Sequence, residues 1–544
     1  MAMITKKEKG LYSLSIGTTN LRKNSQVPGF YHVPLSALIT GIGNFSIQMN
    51  YQSISTALMV MSVVVCTSSL EDCKGGIQAP WVDSSNAATV FAGSILGQLC
   101  MGYAGDVLGI NSALTMTMSV SFVAILCSSL LTLLFPSESA TDVYVTIMVS
   151  RFFLGIGLGG VYPLAATKAA EAGTRSGTGT GTGTDMVEQA SPDVSPLNSA
   201  CSFFWQTPGA MAPWLLLLGM THSRLSTAAR WRLLLGMGAI PNVMVLICLL
   251  LENKQNKELN TTEDGKNMKI SKAPSRLGCS DGKKSVLKLI FEDEYFIRKV
   301  MGTGGSWFVF DICYYGVVLF GGDILSAIRS AHDTTGDDDL AEDITTDTNL
   351  QYIAMHQVLA LSMGVPGVLL SILLMNHMCV KNIQILGFFA MSVLFAIMAL
   401  LFDHLIEKSP DVLYALYCVL LFALQFGPNV TTFVMPAIAY PHEVRSTMTG
   451  ISAAFGKVGA VCGAYIFGWM ARIVGYPVIM FVCAALSLLG VYLTQVCITT
   501  THTTTTTTNT GGGGGGGMIE EDEGSIDIDS SSSPLALSST LSSS

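Results

Sequence analysis

Long uninterrupted stretches of apolar residues recur through most of this chain, and they restrict its fold more than any other feature. Each is roughly 20 residues or longer, the length that an α-helix needs to cross a hydrocarbon core about 30 Å thick. Because lipid offers no hydrogen-bond partner to open backbone, each stretch is predicted to be a transmembrane helix. We count about twelve such stretches. They span residues 35–65, 84–104, 112–135, 142–168, 198–219, 232–251, 298–325, 353–376, 383–402, 411–437, 447–473 and 476–498.

The composition agrees with a protein that crosses a bilayer many times. Of the 544 residues, 50% are hydrophobic and only 12% are charged, and the mean hydropathy is +0.50. A soluble protein of several domains carries more charge and fewer apolar residues. The sequence contains no Walker loop, no nucleophile–base set and no Cys or His cluster with the spacing of metal ligands. It therefore predicts an integral membrane protein that is not an enzyme, with no cofactor, no metal and no nucleic-acid partner.

Charged residues between the apolar stretches set the expected orientation. Lys and Arg are concentrated in residues 1–33 and 253–297, whereas acidic residues dominate residues 326–352. Because cytoplasmic loops of membrane proteins are enriched in Lys and Arg, the two basic segments are predicted to face the cytosol. The acidic loop is expected to lie outside.

The long basic loop divides the chain into two sets of six helices. The expected fold is therefore all-α, with two six-helix bundles around a central cavity. Segments rich in Gly and Thr have no apolar periodicity and cannot form a packed core. The expected organisation is a cytosolic N-terminal tail (1–33), an N-terminal bundle (34–252) containing a low-complexity loop (173–197), a cytosolic central loop (253–297), a C-terminal bundle (298–498) containing the acidic external loop (326–352), and a disordered cytosolic tail (499–544).

Two cysteines lie close together in sequence near the first external loop. Cys66 directly follows the first apolar stretch, and Cys73 lies in the loop. An oxidising exterior would allow them to form a disulfide. Two free thiols are an equally good interpretation, because the sequence gives no geometry.

One acid stands near the middle of the seventh apolar stretch. Asp311 is about eleven residues, or roughly 16 Å, into it, close to the bilayer midplane. Residues four apart share a helix face, so Trp307, Asp311 and Tyr315 form one stripe, while Val309 and Cys313 point toward lipid or neighbouring helices. An ionised carboxylate at this depth costs at least about 2.5–3.5 kcal/mol. Asp311 is predicted to face a water-filled cavity or to bind a proton or cation, with a structural hydrogen bond as the alternative.

A lone cation occupies the eleventh stretch. Lys457 stands among small residues about a third of the way through that stretch. A cation at this depth needs an anion. Either Lys457 pairs with Asp311 as a structural salt bridge, or it attracts an anionic substrate while Asp311 carries a proton.

Three segments resemble the phosphate:proton symporter family of the major facilitator superfamily. They are "RFFLGIGLGGVYPLAATKAAE" (151–171), "SWFVFDICYYG" (306–316) and "FGPNVTTFVMPAIAYPHEVRSTMTGISAAFGKVGA" (426–460). The last is the most specific, because it combines "GPN", "TTF", "RST", "GISAA" and "GK" in that order. With further similarity in helices two and five, the resemblance spans both halves of the chain and implies the major facilitator fold.

The loop between helices two and three also resembles that of the superfamily, with one difference. In "GQLCMGYAGDVLG" (97–109), Asp106 matches the superfamily's acid. Ile110 and Asn111 stand where basic residues are usual.

The resemblance implies a set of substrate-binding residues. In such symporters a Tyr of helix four, a Gln of helix five, the Trp, Asp and Tyr of helix seven and a Lys of helix eleven hold phosphate. Phenol, amide and indole groups can donate hydrogen bonds to phosphate oxygens, and an ammonium supplies charge. For the Tyr and Gln of helices four and five, ordinary helix packing is the alternative. The matching residues here are Tyr162, Gln206, Trp307, Asp311, Tyr315 and Lys457.

The chain lacks several acids of the family pattern. Val161 replaces an Asp in helix four, Ile47 and Asn50 replace two acids in helix one, and Ile438 replaces an acid in helix ten. Those helix-one and helix-four carboxylates are the expected proton route, so Asp311 remains as the main candidate for proton coupling. The helix-one amides at positions 48, 50 and 52 either bind a sodium ion or a sugar or form hydrogen bonds between helices.

The expected function is secondary active transport. The resemblance implies uptake of inorganic phosphate by alternating access with a coupling cation, either H+ or Na+, and a proton is the first expectation. Transport of another solute, such as an organic phosphate or a sugar, is an alternative, because this fold hosts many substrates. A phosphate receptor that does not transport is a second one. The plasma membrane is the expected location, and an internal storage membrane is the alternative.

Overall fold

The computed structural model describes residues 33–68, 80–134, 140–172, 194–263, 295–319, 325 and 346–498. All regular secondary structure in these ranges is helical. Residues 1–32, 69–79, 173–193, 264–294, 326–345 and 499–544 lie outside them, and with them most of the tails and loops proposed from the sequence. Cys73 also lies outside the described residues, so its pairing with Cys66 stays a prediction.

The described helical segments of the first half form six helices, each at the place of one predicted apolar stretch. Two of the helices are interrupted. Helix α5 breaks at Trp205, and helix α6 breaks at the pair Met237 and Gly238. The bounds are Leu35–Ser68 (α1), Pro80–Leu108 (α2), Ile110–Leu130 with a 3-10 turn Leu131–Leu134 (α3), Ala140–Glu171 (α4), Pro196–Phe204 and Gln206–Thr221 (α5), and Thr227–Gly236 and Ala239–Glu263 (α6).

Within the described residues, the second half also forms six helices. Helix α7 contains a π-helical turn, and α8 and α10 are each made of two segments. Helix α8 starts inside the range expected for the acidic loop, just as α6 runs on into the range expected for the central loop. The bounds are Phe296–Val300, Met301–Gly305 and Ser306–Leu319 (α7), Thr346–Ser362 and Gly364–Leu374 (α8), Val380–Lys408 (α9), Pro410–Gln425 and Pro428–Ala439 (α10), Arg445–Ile473 (α11), and Tyr476–Cys497 (α12).

The break in α10 has a local cause. Gly427 has a φ of 77°, a conformation that costs glycine little. Pro428 follows as the first residue of the second segment, a position at which a backbone N–H would have no acceptor within the helix. The Gly427 N–H donates instead to Ser371 Oγ on α8 at 2.8 Å. The chain thus changes direction without leaving this buried amide unpaired.

Eight helical stretches in the described residues are long and apolar enough to cross a membrane: Ile110–Leu134, Thr141–Glu171, Thr227–Glu258, Leu350–Leu374, Val380–Lys408, Pro410–Ala439, Arg445–Phe467 and Tyr476–Cys497. Helix α1 is not among them. It is unusually polar, and its polar side chains are buried, including Asn44, Gln48, Asn50 and Gln52. Large apolar residues cover the outside instead, as with Leu400 at 71% exposure. Apolar outside and polar inside is the arrangement expected in lipid.

The two halves meet along two pairs of long helices. Helix α2 packs against α11, and α5 packs against α8. Glycines allow close approach, because a side chain at Gly450 would overlap the Gln98 carbonyl and one at Gly459 would overlap the Phe308 carbonyl. Helix α11 therefore lies tightly between α2 of one half and α7 of the other.

Candidate functional site

The two membrane-embedded charges that the sequence singled out form an ion pair. Lys457 Nζ on α11 lies 2.9 Å from Asp311 Oδ2 on α7. Both side chains are almost fully buried, with 1% and 3% of their surface exposed. The close packing of α11 on α7 at Gly459 brings the two residues together. In this state each charge neutralises the other.

Two tyrosines extend the polar cluster from the ion pair. Lys457 Nζ also donates to the Tyr315 hydroxyl at 2.9 Å. The Tyr315 hydroxyl lies 3.5 Å from the Tyr162 hydroxyl on α4. Because α4 belongs to the first half and α7 to the second, these contacts cross between the bundles.

A chain of amides continues the cluster along α1 and α5. Gln48 Nε2 lies 3.5 Å from the Tyr315 hydroxyl and donates to Gln206 Oε1 at 3.0 Å. Gln206 Nε2 donates to Asn44 Oδ1 at 2.7 Å, and Asn44 Nδ2 donates to Ser202 Oγ at 2.8 Å. Gln48 therefore connects Gln206 to the ion-pair cluster, and its own Oε1 has no partner among the described residues.

Trp307 completes the predicted set. It lies one turn before Asp311 on α7, and its ring centroid is 6.0 Å from that of Tyr162 in an edge-on arrangement. A side chain at Gly456 on α11 would overlap the Trp307 ring, so the glycine leaves room for the indole. The structure thus brings the six residues selected from the sequence into one buried cluster. They are Tyr162, Gln206, Trp307, Asp311, Tyr315 and Lys457.

Two aromatic residues of the cluster were not singled out by sequence reasoning. Tyr51 on α1 and Phe91 on α2 have ring centroids 5.5 and 5.6 Å from Lys457 Nζ. Tyr51 stands between two polar residues of α1, which was a usable signal. Phe91 is one apolar residue in an apolar stretch, and nothing in the sequence separates it from its neighbours.

Arg151 on α4 is a further buried charge that the sequence analysis passed over. It is fully buried, and its Nη2 donates to the Asn50 carbonyl at 2.7 Å and to Ser53 Oγ at 2.9 Å on α1. Its Nε and Nη1 have no partner among the described residues. Asn50 is one of the positions at which the resemblance implies an acid, so this cation lies beside a position that carries no charge here.

The positions that depart from the family pattern are uncharged packing sites. Ile47 and Val161 are fully buried, and Ile438 packs against the core. Two of the α1 amides form hydrogen bonds between helices: Gln48 donates to Gln206 on α5, and Asn50 Nδ2 donates to the Gly238 carbonyl on α6 at 3.4 Å. In the described part of the chain, no three His, Cys, Asp or Glu residues are placed to hold a metal ion.

A second polar cluster joins the halves at the end that is predicted, from the basic loops, to face the cytosol. Asp106, at the end of α2, accepts hydrogen bonds from the Ser446 and Thr447 N–H groups at 3.2 and 2.7 Å, at the start of α11. Glu171, at the end of α4, pairs with Arg445 at 3.0 Å. Asn111, in a position usual for a basic residue, accepts from Lys168 at 2.7 Å. The contacts of Asp106 and Glu171 join the two halves at this end, whereas Lys168 and Asn111 both lie in the first half.

The geometry suits the binding of a small anion. A buried ammonium, two phenols, an indole and an amide belong to the cluster between the halves, and all of these groups can donate hydrogen bonds. The Asp311 carboxylate competes with such an anion for the ammonium. A proton on Asp311 would remove that competition.

The chain is similar to known transporters. A family model described as "Sugar (and other) transporter" matches residues 339–509. The "Probable inorganic phosphate transporter 1-7" of Arabidopsis thaliana is 31% identical over 418 residues, which cover 73% of this chain and 75% of that protein. The "Inorganic phosphate transporter PT2" of Toxoplasma gondii is 29% identical over 431 residues, which cover 79% of this chain and 66% of that protein.

Solved structures give the fold. The proton:xylose symporter XylE, bound to 6-bromo-6-deoxy-D-glucose, matches with a TM-score of 0.59 at 14% identity and covers 85% of this chain and 94% of its own. XylE from E. coli in a partially occluded inward-open conformation matches with a TM-score of 0.58 at 12% identity, covering 85% and 96%. These matches confirm the predicted twelve-helix fold of the major facilitator type. At such low identity they carry no information on substrate.

Proposed function

The chain belongs to the inorganic phosphate transporter family of the major facilitator superfamily, and we propose that it takes up inorganic phosphate by symport with a proton. Its relatives are membrane transporters and not enzymes, and the chain is itself a multi-pass secondary transporter. The substrate, the coupling ion and a plasma-membrane location are parts of the proposal.

The observation that carries the proposal is the buried ion pair between Lys457 and Asp311. A charge pair in the membrane interior is expensive to build, and intramembrane charges usually serve function. In this fold, the place between the two halves is where a substrate can be exposed first to one side and then to the other. An ammonium there provides the attraction that an anion needs.

Proton coupling follows from competition for Lys457. While Asp311 is ionised, its carboxylate holds the ammonium at 2.9 Å. Protonation from the outside removes that charge, and the ammonium becomes available to phosphate. After opening to the cytosol, loss of the proton restores the pair and weakens phosphate binding. Proton and phosphate thus move together.

The remaining four predicted residues have binding roles in this scheme. Tyr162, Tyr315 and Trp307 donate hydrogen bonds to phosphate oxygens from two sides of the cluster. One N–H of the Gln206 amide already donates to Asn44. In this scheme Gln206 reaches phosphate with its second N–H or after a change of side-chain conformation. Its link through Gln48 to Tyr315 supports this role by tying helix α5 to the site.

Asp311 is also the best-placed group for coupling. Among the described residues, the buried acids are Asp106 and Asp311. Asp106 already accepts a hydrogen bond from the Thr447 N–H at the start of α11. The family's helix-one and helix-four acids are absent here at Ile47, Asn50 and Val161. A sodium ion coordinated by the α1 amides is the alternative coupling ion, and Gln52, whose amide atoms have no partner in the described structure, keeps it open.

Binding of labelled phosphate to the purified full-length protein tests the substrate. Lys457→Gln should lower affinity about 10- to 100-fold, because a charge-assisted hydrogen bond contributes about 1.5–3 kcal/mol. Lys381→Gln, which removes a lysine that bonds to the Gln495 carbonyl on α12, is the matched control and should bind like wild type. Equal binding by wild type and Lys457→Gln would make Lys457 structural and remove the main support for phosphate.

A further inference from the structure

Four aromatic rings surround the ammonium of Lys457. Its Nζ lies 4.3 Å from the ring centroid of Tyr315, 4.8 Å from Tyr162, 5.5 Å from Tyr51 and 5.6 Å from Phe91. All four distances fall within the roughly 6 Å over which a cation is attracted to the face of a ring. The rings come from α7, α4, α1 and α2, so three of the four belong to the half of the molecule that lacks Lys457.

The rings hold one another in place. The Phe91 and Tyr315 centroids are 4.4 Å apart, and Tyr51 meets Phe91 edge-on at 5.1 Å. The Tyr51 hydroxyl is hydrogen-bonded to Ser94 Oγ on α2 at 2.8 Å, which fixes its ring. Tyr51, Phe91 and Tyr315 are each at most 1% exposed. The ammonium is therefore surrounded by buried side chains that pack against one another.

We propose that Tyr51, Phe91, Tyr162 and Tyr315 form an aromatic cage that stabilises Lys457 as a cation independently of Asp311, and that Tyr51 and Phe91 are positioning residues of the site. A buried ammonium that loses its only carboxylate would otherwise be left as an uncompensated charge. Ring faces carry partial negative charge and attract a cation without a formal charge of their own. The cage therefore lets Asp311 become neutral while Lys457 keeps its charge.

The cage gives the two halves of the molecule a direct electrostatic contact. Lys457 lies on α11, whereas Tyr51, Phe91 and Tyr162 lie on α1, α2 and α4. The attraction favours the state in which the halves are closed around the ammonium. The role of the cage in preparing Lys457 for phosphate rests on the proposed function. The attraction between the rings and Lys457 does not depend on it.

Stepwise fluorination of Phe91 tests the cage without changing its shape. Mono-, di- and trifluorophenylalanine introduced at position 91 of the full-length protein weaken the negative ring face and keep nearly the same size. The melting temperature of the purified protein should fall with each fluorine. The fall should vanish in the charge-neutral double variant Lys457→Met, Asp311→Asn. Equal slopes in both backgrounds, or no slope in either, would overturn the proposal.

Transport provides the second readout. The apparent KM for phosphate should rise about three- to tenfold across the fluorine series, a change within the usual range of cation–π energies. The same series at Phe388, a buried residue that packs against Phe310 in the second half, is the control and should leave KM unchanged. Tyr51→Leu, which removes a ring of the cage, should raise the KM more than Tyr51→Phe, which keeps the ring and loses only its hydrogen bond to Ser94.

The two proposals fail separately. A fluorine-dependent melting temperature that requires Lys457, in a protein that takes up no phosphate, would support the cage and overturn the phosphate assignment. Phosphate uptake by a protein in which fluorination changes neither the melting temperature nor the KM would support the phosphate assignment and overturn the cage.

Discussion

Single residues decide the chemistry of this protein because few charges are buried. Lys457 and Asp311 are 1% and 2% exposed and are paired with each other, so the charge of one depends on the state of the other. Sequence reasoning found both, since a charge in an apolar stretch stands out. It could not decide whether they touch, because they are far apart in the chain and the answer depends on how α7 and α11 pack.

Replacing Asp311 tests the coupling role directly. In sodium-free medium, wild-type uptake of labelled phosphate should rise as the external pH falls, because protonation of the carboxyl frees Lys457. Asp311→Asn is neutral at every pH, so its uptake should no longer rise. A pH response that survives in Asp311→Asn would assign the proton to another group, and a strict need for sodium would favour the α1 amides as a cation site.

Arg151 carries a second prediction at this scale. Its guanidinium bonds to Ser53 Oγ at 2.9 Å and has no carboxylate partner among the described residues. Ser53→Asp supplies the missing counter-charge and should raise the melting temperature of the purified protein, by a few degrees per kcal/mol gained. Ser53→Asn is the control, because Asn has nearly the same size as Asp and carries no charge. Equal or lower stability of the Asp variant relative to the Asn variant would show that Arg151 is already compensated.

At the scale of helices, glycines allow the close packing that brings the site residues together. Gly456 and Gly459 bring α11 against α7, and Gly102 and Gly450 bring it against α2. The positions of the helices were predictable from the apolar stretches, and all twelve correspond to helices of the structure. The interruptions at Trp205, Met363 and Phe426 were not predicted, because a break of one or two residues leaves the hydropathy of a stretch unchanged.

The contact between α2 and α11 gives a prediction at the scale of helices. Gly450→Ala would place a methyl group against the Gln98 carbonyl and should force the helices apart at the end that we assign to the cytosol. Uptake should fall while the protein still reaches the membrane. Ser446 is fully buried. A cysteine that replaces it should become reactive to an impermeant thiol reagent added from the side that we assign to the cytosol.

Gly219→Ala is the matched control for this experiment. No atom lies within 4 Å of a side chain added there, so uptake and labelling should match wild type. An unreactive cysteine at position 446 in Gly450→Ala would mean that the helices tolerate the methyl group and that this contact does not govern opening.

At the scale of the whole molecule, α2 and α11 touch on both sides of the site within the described residues. Helices α2 and α11 are joined near one end by Ser85 and Tyr465, whose hydroxyls are 3.4 Å apart, and at the other by Asp106 and Thr447. The ion pair lies between these contacts and is nearly inaccessible. Transport therefore requires each end to open in turn, which is the motion expected of two bundles around a central site.

The sequence predicted this architecture better than it predicted the details of the site. Twelve stretches and a long basic loop were enough for two six-helix bundles, because hydrophobic length translates directly into membrane-spanning helices. The resemblance to a family selected six residues that the fold brings together. Gln48, Tyr51 and Arg151 carried a local signal, because they are polar or charged residues in or beside polar parts of apolar stretches. Phe91 gained its importance only from neighbours on other helices, which no local pattern records.

Uptake of labelled phosphate by the purified protein in sodium-free liposomes tests the central claim most directly. With an inward proton gradient, the wild-type protein should accumulate phosphate above its external concentration, and a protonophore should abolish the accumulation. Lys457→Gln should not accumulate it, whereas Lys381→Gln should. Phosphate that binds to the reconstituted protein but never accumulates, with or without a proton gradient, would contradict the account and identify a receptor instead of a transporter.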